Sequence, residues 1–249
     1  MDVVRSFPPR FHQLDANEAC VVSMKPTVLL DQAVTPDGRP MTLHEHDGVF
    51  MIRIAGVELM SSRQHHSEER LAELACGHVR STRAARVLIG GLGLGFTLRA
   101  ALGNLAADAS VVVAELMPAV IRWNRETRYG LGADALADPR TEIVTGDVTD
   151  VMRAKRGWFD AIILDVDNGA AGLTTASNER LYQSSGLGLA RAALKPAGCL
   201  AVWSVGDDPA FAKRMGDCGF AVTVERARPH PRGGGWNYLF LGRIAGRVR

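Results

Sequence analysis

The chain has 249 residues, 47% hydrophobic and 22% charged, which is enough for one full α/β domain with a small appendage and too apolar for a disordered chain. Its 29 Lys and Arg nearly cancel its 27 Asp and Glu, so no whole-molecule field exists to draw in nucleic acid or an anionic membrane, and a small molecule is the expected partner. Cys20, Cys76, Cys199 and Cys218 show no metal-ligand spacing or short-range pairing, Pro8, Pro9 and Arg10 interrupt any leader-like apolar run, and no stretch approaches the roughly 20 apolar residues that cross a bilayer. A cytoplasmic protein without a bound metal is expected.

The first elements are short strands, Val21 to Met24, Thr27 to Leu30, Met41 to Glu45, Val49 to Ile54 and Val57 to Met60, with turn signals at Pro36-Asp37-Gly38 and Asp47-Gly48. They predict a small antiparallel β domain over residues 1–66. Leu71, Leu74 and Ala75 recur at helical spacing, so a bridging helix is expected from Ser67 to His78, with Ser67 as its cap and Glu68 and Glu69 in its first turn.

From residue 67 to 249 apolar strands alternate with helices, the rhythm of a mainly parallel sheet covered on both faces. Strands are expected at Arg86 to Ile89, Ser110 to Ala114, Glu142 to Val144, Phe159 to Leu164 and Cys199 to Ser204, and helices at Thr97 to Leu105, Pro118 to Thr127 and Leu181 to Leu194. Lys195-Pro196-Ala197-Gly198 stops the last helix. Two final strands, Ala221 to Glu225 and Asn237 to Leu241, are joined by a Pro- and Gly-rich loop and should pair antiparallel. The expected fold is α/β: a Rossmann-like, seven-stranded, methyltransferase-type sheet with a C-terminal antiparallel hairpin. Trp203 reads as core.

Ligands of open α/β sheets bind beyond the carboxyl ends of the strands, and here a glycine turn or an acid closes each of the first four. After the first strand, Gly90, Gly91, Gly93 and Gly95 stand between strand and helix, where a nucleotide can touch the backbone, although such glycines can also serve only a tight turn. Glu115 ends the second strand, the place from which a carboxylate accepts from ribose hydroxyls. A dinucleotide fingerprint starting at Gly91 needs glycine at position 96, where Phe96 stands, so the spacing favours an S-adenosyl ligand. Asp147 ends the third strand, beside adenine or as the cap of a short helix. Asp165 ends the fourth, either holding and deprotonating an acceptor amine or bonded only to loop amides. Asp167 and Asn168 would line the same mouth.

The glycine turn, VVVAELMPAVIRWNRE, TGDVTDVM, WFDAIILDVDNG, Leu181-Tyr182 and HPRGGGWNYLF together resemble the spermidine synthase family of polyamine aminopropyltransferases, over roughly Met41 to Leu241. The resemblance implies a small N-terminal β domain before a methyltransferase-like domain and, by family habit, a homodimer. The implied co-substrate is S-adenosylmethionine or its decarboxylated form, with Glu115 at ribose, Asp147 at adenine and Asp165 as proton acceptor. Three departures bear on substrate. Gly93 stands where the family's donor-binding Asp falls, Ser61-Ser62 replace its Thr-Glu, and Asn168 replaces the second Asp of its catalytic loop. The segment MSSRQHHSEERL takes the place of the missing groups. It offers Gln64 to the donor, His65 or His66 as a second base or a surface pair, Glu68 to the substrate, and Arg63 to a substrate carboxylate. Trp236 would wall the acceptor pocket or pack the hairpin.

Several reactions fit these residues. Aminopropyl transfer and reaction of the aminocarboxypropyl group both release methylthioadenosine, and methyl transfer releases S-adenosylhomocysteine. A non-catalytic nucleotide-binding protein is the reading from another class, and a nicotinamide-dependent oxidoreductase is disfavoured by Phe96 and the terminal hairpin.

Overall fold

In the computed structural model, residues 25–166 and 180–244 are described. The chain opens on a four-stranded antiparallel meander, β1 (Val28–Val34), β2 (Pro40–His46), β3 (Val49–Ile54) and β4 (Val57–Ser61). Asp47 and Gly48, at φ 50° and 76°, make a two-residue turn that pairs His46 with Val49; Ala55 and Gly56, at 49° and 83°, do the same between β3 and β4. Positive φ at both turn residues matches the right-handed twist of the flanking strands. The strand expected at Val21 to Met24 lies outside the described residues.

Helix α1 (His66–Cys76) follows, continued by a 3-10 turn at Gly77–Val79. Ser67 is not its cap. His65 takes the N-cap position without a side-chain bond, and Ser67 is fully buried inside the first turn.

The second sheet has seven strands: β5 (Arg86–Gly90), β6 (Ser110–Glu115), β7 (Thr141–Thr145), β8 (Phe159–Leu164), β9 (Leu194–Ser204), β10 (Phe220–Ala227) and β11 (Asn237–Ile244). Their order is β10-β11-β9-β8-β5-β6-β7, and β11 alone runs antiparallel to its neighbours β9 and β10. This is the expected methyltransferase-type sheet with its terminal hairpin. Helices α2 (Phe96–Gly103), α3 (Pro118–Arg125) and α6 (Ser184–Ala193) match expected ones, α5 (Val148–Ala154) is the short helix that Asp147 could cap, and α4 (Ala133–Leu136) and α7 (Pro209–Asp217) were not foreseen. The break after α6 is tighter than a loop: β9 begins at Leu194, and Ala197 at φ 64° absorbs a register shift before Cys199.

Strand alternation divides the core. Val87 and Ile89 face α1 and α2 with Leu71, Ala75 and Leu98, while Leu88 faces Met152, Leu187 and Phe211 on the opposite side. Met41, Leu43 and Ile52 of the N-terminal sheet join the first of these cores. Cys76 and Cys199 are buried free thiols, which burial pushes up to about 12 and about 11.

A polar clamp ties the two sheets. Asp31 of β1 accepts from Trp123 Nε1 at 2.7 Å and Arg122 Nη2 at 3.0 Å, both on α3, and these bonds hold its carboxyl below the usual range. Trp123 is 1% exposed, so no water can replace the lost acceptor easily. Asp31→Ala should therefore cost about 1–3 kcal/mol, a loss of a few degrees in Tm by thermal denaturation at pH 7. The difference from the parent protein should shrink in acid, as the parent's Asp31 protonates and loses its ion-paired form.

Candidate active site

The parallel register brings the ends of β5, β6 and β8 level. Gly91 N–H donates to Ala114 O at 2.9 Å and Asp165 N–H to Gly90 O at 3.0 Å, so the glycine turn is laced to both neighbouring strands. Gly91 has φ 88°, and a Cβ there would stand 2.3 Å from the Asp165 carbonyl oxygen. Only glycine fits that contact. Gly95, at φ 84°, caps α2 and faces Gly132, and a Cβ at Gly93 would meet Met60 Cε of β4 at 2.5 Å. The thioether of the N-terminal sheet thus occupies the place where any side chain at position 93 would lie.

Between the N-terminal sheet and these strand ends is a cavity of about 310 Å³. Gly91, Gly93, Glu115, Asp147 and Asp165 line it from the strand ends and turns of the large sheet, Met60 from β4, Gln64 from the segment after β4, and Glu68 from α1. Gly90 ends β5 buried beneath this floor. Glu115 is buried, and its carboxylate is held flat by the Leu92 N–H on Oε2 (2.8 Å) and the Met117 N–H on Oε1 (2.7 Å). Asp147 lines the cavity and also caps α5, accepting from Thr149 N–H at 2.8 Å. Its two readings from sequence are therefore compatible. Asp165 accepts from the Thr97 hydroxyl at the start of α2.

Glu68 lies opposite and is only 8% exposed. Ser67 Oγ donates to its Oε2 at 2.6 Å, and that same Oγ accepts from Trp203 Nε1 at 3.1 Å and Asn237 Nδ2 at 2.9 Å. One hydroxyl so joins α1, the end of β9 and the start of β11. Burial first, and the neighbouring Asp165 charge second, push the Glu68 carboxyl up to about 8. Trp203 does both: half-buried, it packs against the core that holds Ile89 and Leu71 and also lines the cavity with Asn237.

Other expected residues lie elsewhere. His65 stacks on Phe96 with ring centroids 4.2 Å apart, its Nδ1 3.0 Å from Glu69 Oε1, and His66 is exposed; neither lines the cavity. Arg63 lies in a neighbouring cleft. Trp236 is 43% exposed and stacked by Arg226 and Arg228, whose guanidinium carbons stand 5.2 and 4.5 Å from its ring centre. Asp167 and Asn168 lie outside the described residues. Ser67, Trp203 and Asn237 were not read as site residues, yet Trp203 ends the fifth parallel strand, and the strand-end rule used for the acids points to it as well. Among the described residues no group of His, Cys, Asp and Glu could hold a metal ion, and no helix is long and apolar enough to cross a membrane.

No protein-family model matches the chain. Among the curated proteins similar to it, polyamine aminopropyltransferase 1 of Streptomyces coelicolor is 32% identical over 165 residues, 62% of this chain and 30% of that protein, and the polyamine aminopropyltransferase of Mycobacterium tuberculosis is 33% identical over 125 residues, 49% and 23% respectively. The chain thus spans less than a third of the length of these relatives. Among solved structures, spermidine synthase from Thermotoga maritima superposes with a TM-score of 0.66 at 21% identity, covering 86% of this chain and 72% of that one. A spermidine synthase in complex with the transition-state analogue AdoDATO gives the same values. A probable spermidine synthase from Corynebacterium glutamicum gives 0.59 at 19% identity, covering 87% and 79%. The chain is thus similar in fold to spermidine synthases and, over part of its length, similar in sequence to polyamine aminopropyltransferases.

The Glu68 carboxyl gives a pH signature. Its folded value of about 8 lies above its ordinary 4.5, so the folded protein binds the extra proton and stability declines as pH rises from about 4.5 to about 8, then levels off. Glu68→Gln should remove that decline. In thermal denaturation the variant should match the parent near pH 4 and melt above it at pH 9; an offset independent of pH would mean that Glu68 does not titrate in this window.

Proposed function

We propose that this spermidine synthase-like chain is a transferase that binds a sulfonium donor, S-adenosylmethionine or its decarboxylated form, and alkylates a small amine acceptor with Asp165 as base. The observation that carries the reading is the charge of the cavity. Glu58, Glu115, Asp147 and Asp165 line it, together with Glu68, whose raised carboxyl a bound cation would ionise, against one guanidinium, Arg39, which is itself bound to Asp37 at 2.7 Å. A sulfonium and an ammonium are both cations, and carboxylates in a partly desolvated site favour them.

In this reading the nucleoside lies over the glycine turn, Glu115 accepts from its ribose hydroxyls and Asp147 from the adenine amine. The acceptor enters mostly as ammonium, since a free amine has a pKa of about 10. Asp165, its plane fixed by Thr97, takes one proton. The released lone pair attacks the carbon bonded to sulfur, the C–S bond breaks, its electron pair stays on sulfur, and a neutral thioether leaves. The alkylated nitrogen departs as ammonium, and the Asp165 proton returns to water. Glu68 faces Asp165 across the cavity, and an entering ammonium favours its ionised form, so the two carboxylates align the amine before its proton leaves, which lowers the entropic part of the barrier.

The test is calorimetric titration with both donors, followed by identification of the nucleoside released with amine acceptors. Methylthioadenosine marks transfer of an aminopropyl or aminocarboxypropyl group, and S-adenosylhomocysteine marks methyl transfer. Asp165→Asn should lower turnover at least ~100-fold with donor affinity nearly intact, the usual scale for general acid-base help. Unchanged turnover would remove Asp165 from the mechanism. Glu115→Ala should weaken nucleoside binding by ~1.5 to 3 kcal/mol, the scale of charge-assisted hydrogen bonds. Failure of both donors and of methylthioadenosine to bind would overturn the reading.

A further inference from the structure

A second cleft, about 260 Å³, adjoins the acidic cavity and is lined by Arg63, Gln64, His230, Arg232, Gly233 and Gly234. Gln64 lines both spaces. Two tight turns build it. In the first, Gln64 N–H donates to Ser61 O at 3.1 Å, and in the second, Gly233 N–H donates to His230 O at 3.2 Å. Each turn carries its arginine, Arg63 or Arg232, in the third of its four positions. The turns are fixed toward one another because His66 N–H, just beyond the first, donates to Pro229 O, just before the second, at 3.0 Å. The His230 ring stiffens its own turn by accepting the Arg232 N–H on Nδ1 at 3.1 Å, which leaves the proton of the neutral ring on Nε2 as a donor.

The charge of this cleft is opposite to that of its neighbour. Its lining has two guanidinium groups and no carboxylate. Among the described residues neither Arg63 nor Arg232 forms an ion pair; the acid whose carboxyl responds to Arg63, Asp47, is already in contact with Lys25. Several surface arginines elsewhere in the described chain are paired, Arg70 with Glu73 and Glu225, Arg99 with Asp134, and Arg122 with Asp31. Two like charges held by rigid turns in one cleft repel, and an anion between them converts that repulsion into attraction, with guanidinium geometry suited to a carboxylate.

We propose that this cleft is a carboxylate subsite of the transferase, so that one of its substrates is a zwitterion whose ammonium or sulfonium lies in the acidic cavity while its carboxylate reaches past Gln64 to Arg63 and Arg232. This rests on the function proposed above and names the class of substrate. The carboxylate belongs either to an amino-acid-like acceptor or to the tail of intact S-adenosylmethionine.

The experiment is calorimetric titration of the full chain with two matched pairs: S-adenosylmethionine against its decarboxylated form, and, with methylthioadenosine present, ornithine against putrescine. In one pair the carboxylate-bearing member should bind at least ~10-fold more tightly, and that preference should vanish in the R63Q/R232Q double variant, with affinity for its decarboxylated counterpart within about twofold of the parent. A preference in the first pair assigns the carboxylate to the donor, and in the second to the acceptor. No preference in either pair, or a preference that survives the double variant, overturns the subsite. Methylthioadenosine keeps the two failures apart: if it binds while the pairs are indistinguishable, only the subsite falls, and if it does not bind, the transferase reading falls with it.

Discussion

The site depends on how closely the backbone at Gly91 approaches the backbone at Asp165. Parallel pairing puts the ends of β6, β5 and β8 side by side, and the missing Cβ of Gly91 lets the turn close against the Asp165 carbonyl oxygen. That contact fixes the spacing between the buried Glu115 on one flank and Asp165 on the other. The two carboxylates are then oriented locally, Glu115 by the Leu92 and Met117 amides and Asp165 by the Thr97 hydroxyl. Neither orientation depends on a long flexible side chain, so the floor of the cavity is set by the sheet itself.

The roof is set by longer-range contacts. Met60 lies over Gly93, Asp31 clamps β1 to Trp123 and Arg122, and the Ser67 hydroxyl accepts hydrogen bonds from Trp203 and Asn237 while donating one to Glu68. Ser67 meets Asn237 across 170 positions of sequence. The result is a cavity whose floor follows from the strand order and whose walls depend on single side-chain contacts between distant elements.

That difference explains what could be read from the residues alone. Strand periodicity located all seven strands of the large sheet to within a few residues, and the strand-end rule brought Glu115, Asp147 and Asp165 to one cavity because it depends only on topology. Asp208 bonded to Phe211 N–H, with Pro209 in the first turn, is a legible helix start, but the short α7 behind it has only Phe211 and Met215 to mark its buried face. The Ser67 network was illegible for a different reason. A serine ahead of two glutamates looks like a helix cap, and only the tertiary structure buries it and turns its hydroxyl toward a tryptophan and an asparagine far along the chain. His65 shows the converse: an imidazole suited by its chemistry to base catalysis is stacked on Phe96 beside Glu69 and lies off the cavity.

The position of β11 has a consequence for how the protein is assembled. This strand is the last element of the described chain, yet it inserts between β9 and β10 and delivers Asn237 to the Ser67 hydroxyl. A ribosome releases that strand after every other part of the cavity has emerged. Before it docks, β9 has an open edge and the tether on Glu68 lacks one of its supports, so a chain still in synthesis holds a nearly complete floor beneath an unfinished wall. Closure of the pocket is thereby coupled to completion of the sheet, through a contact between residues 170 positions apart.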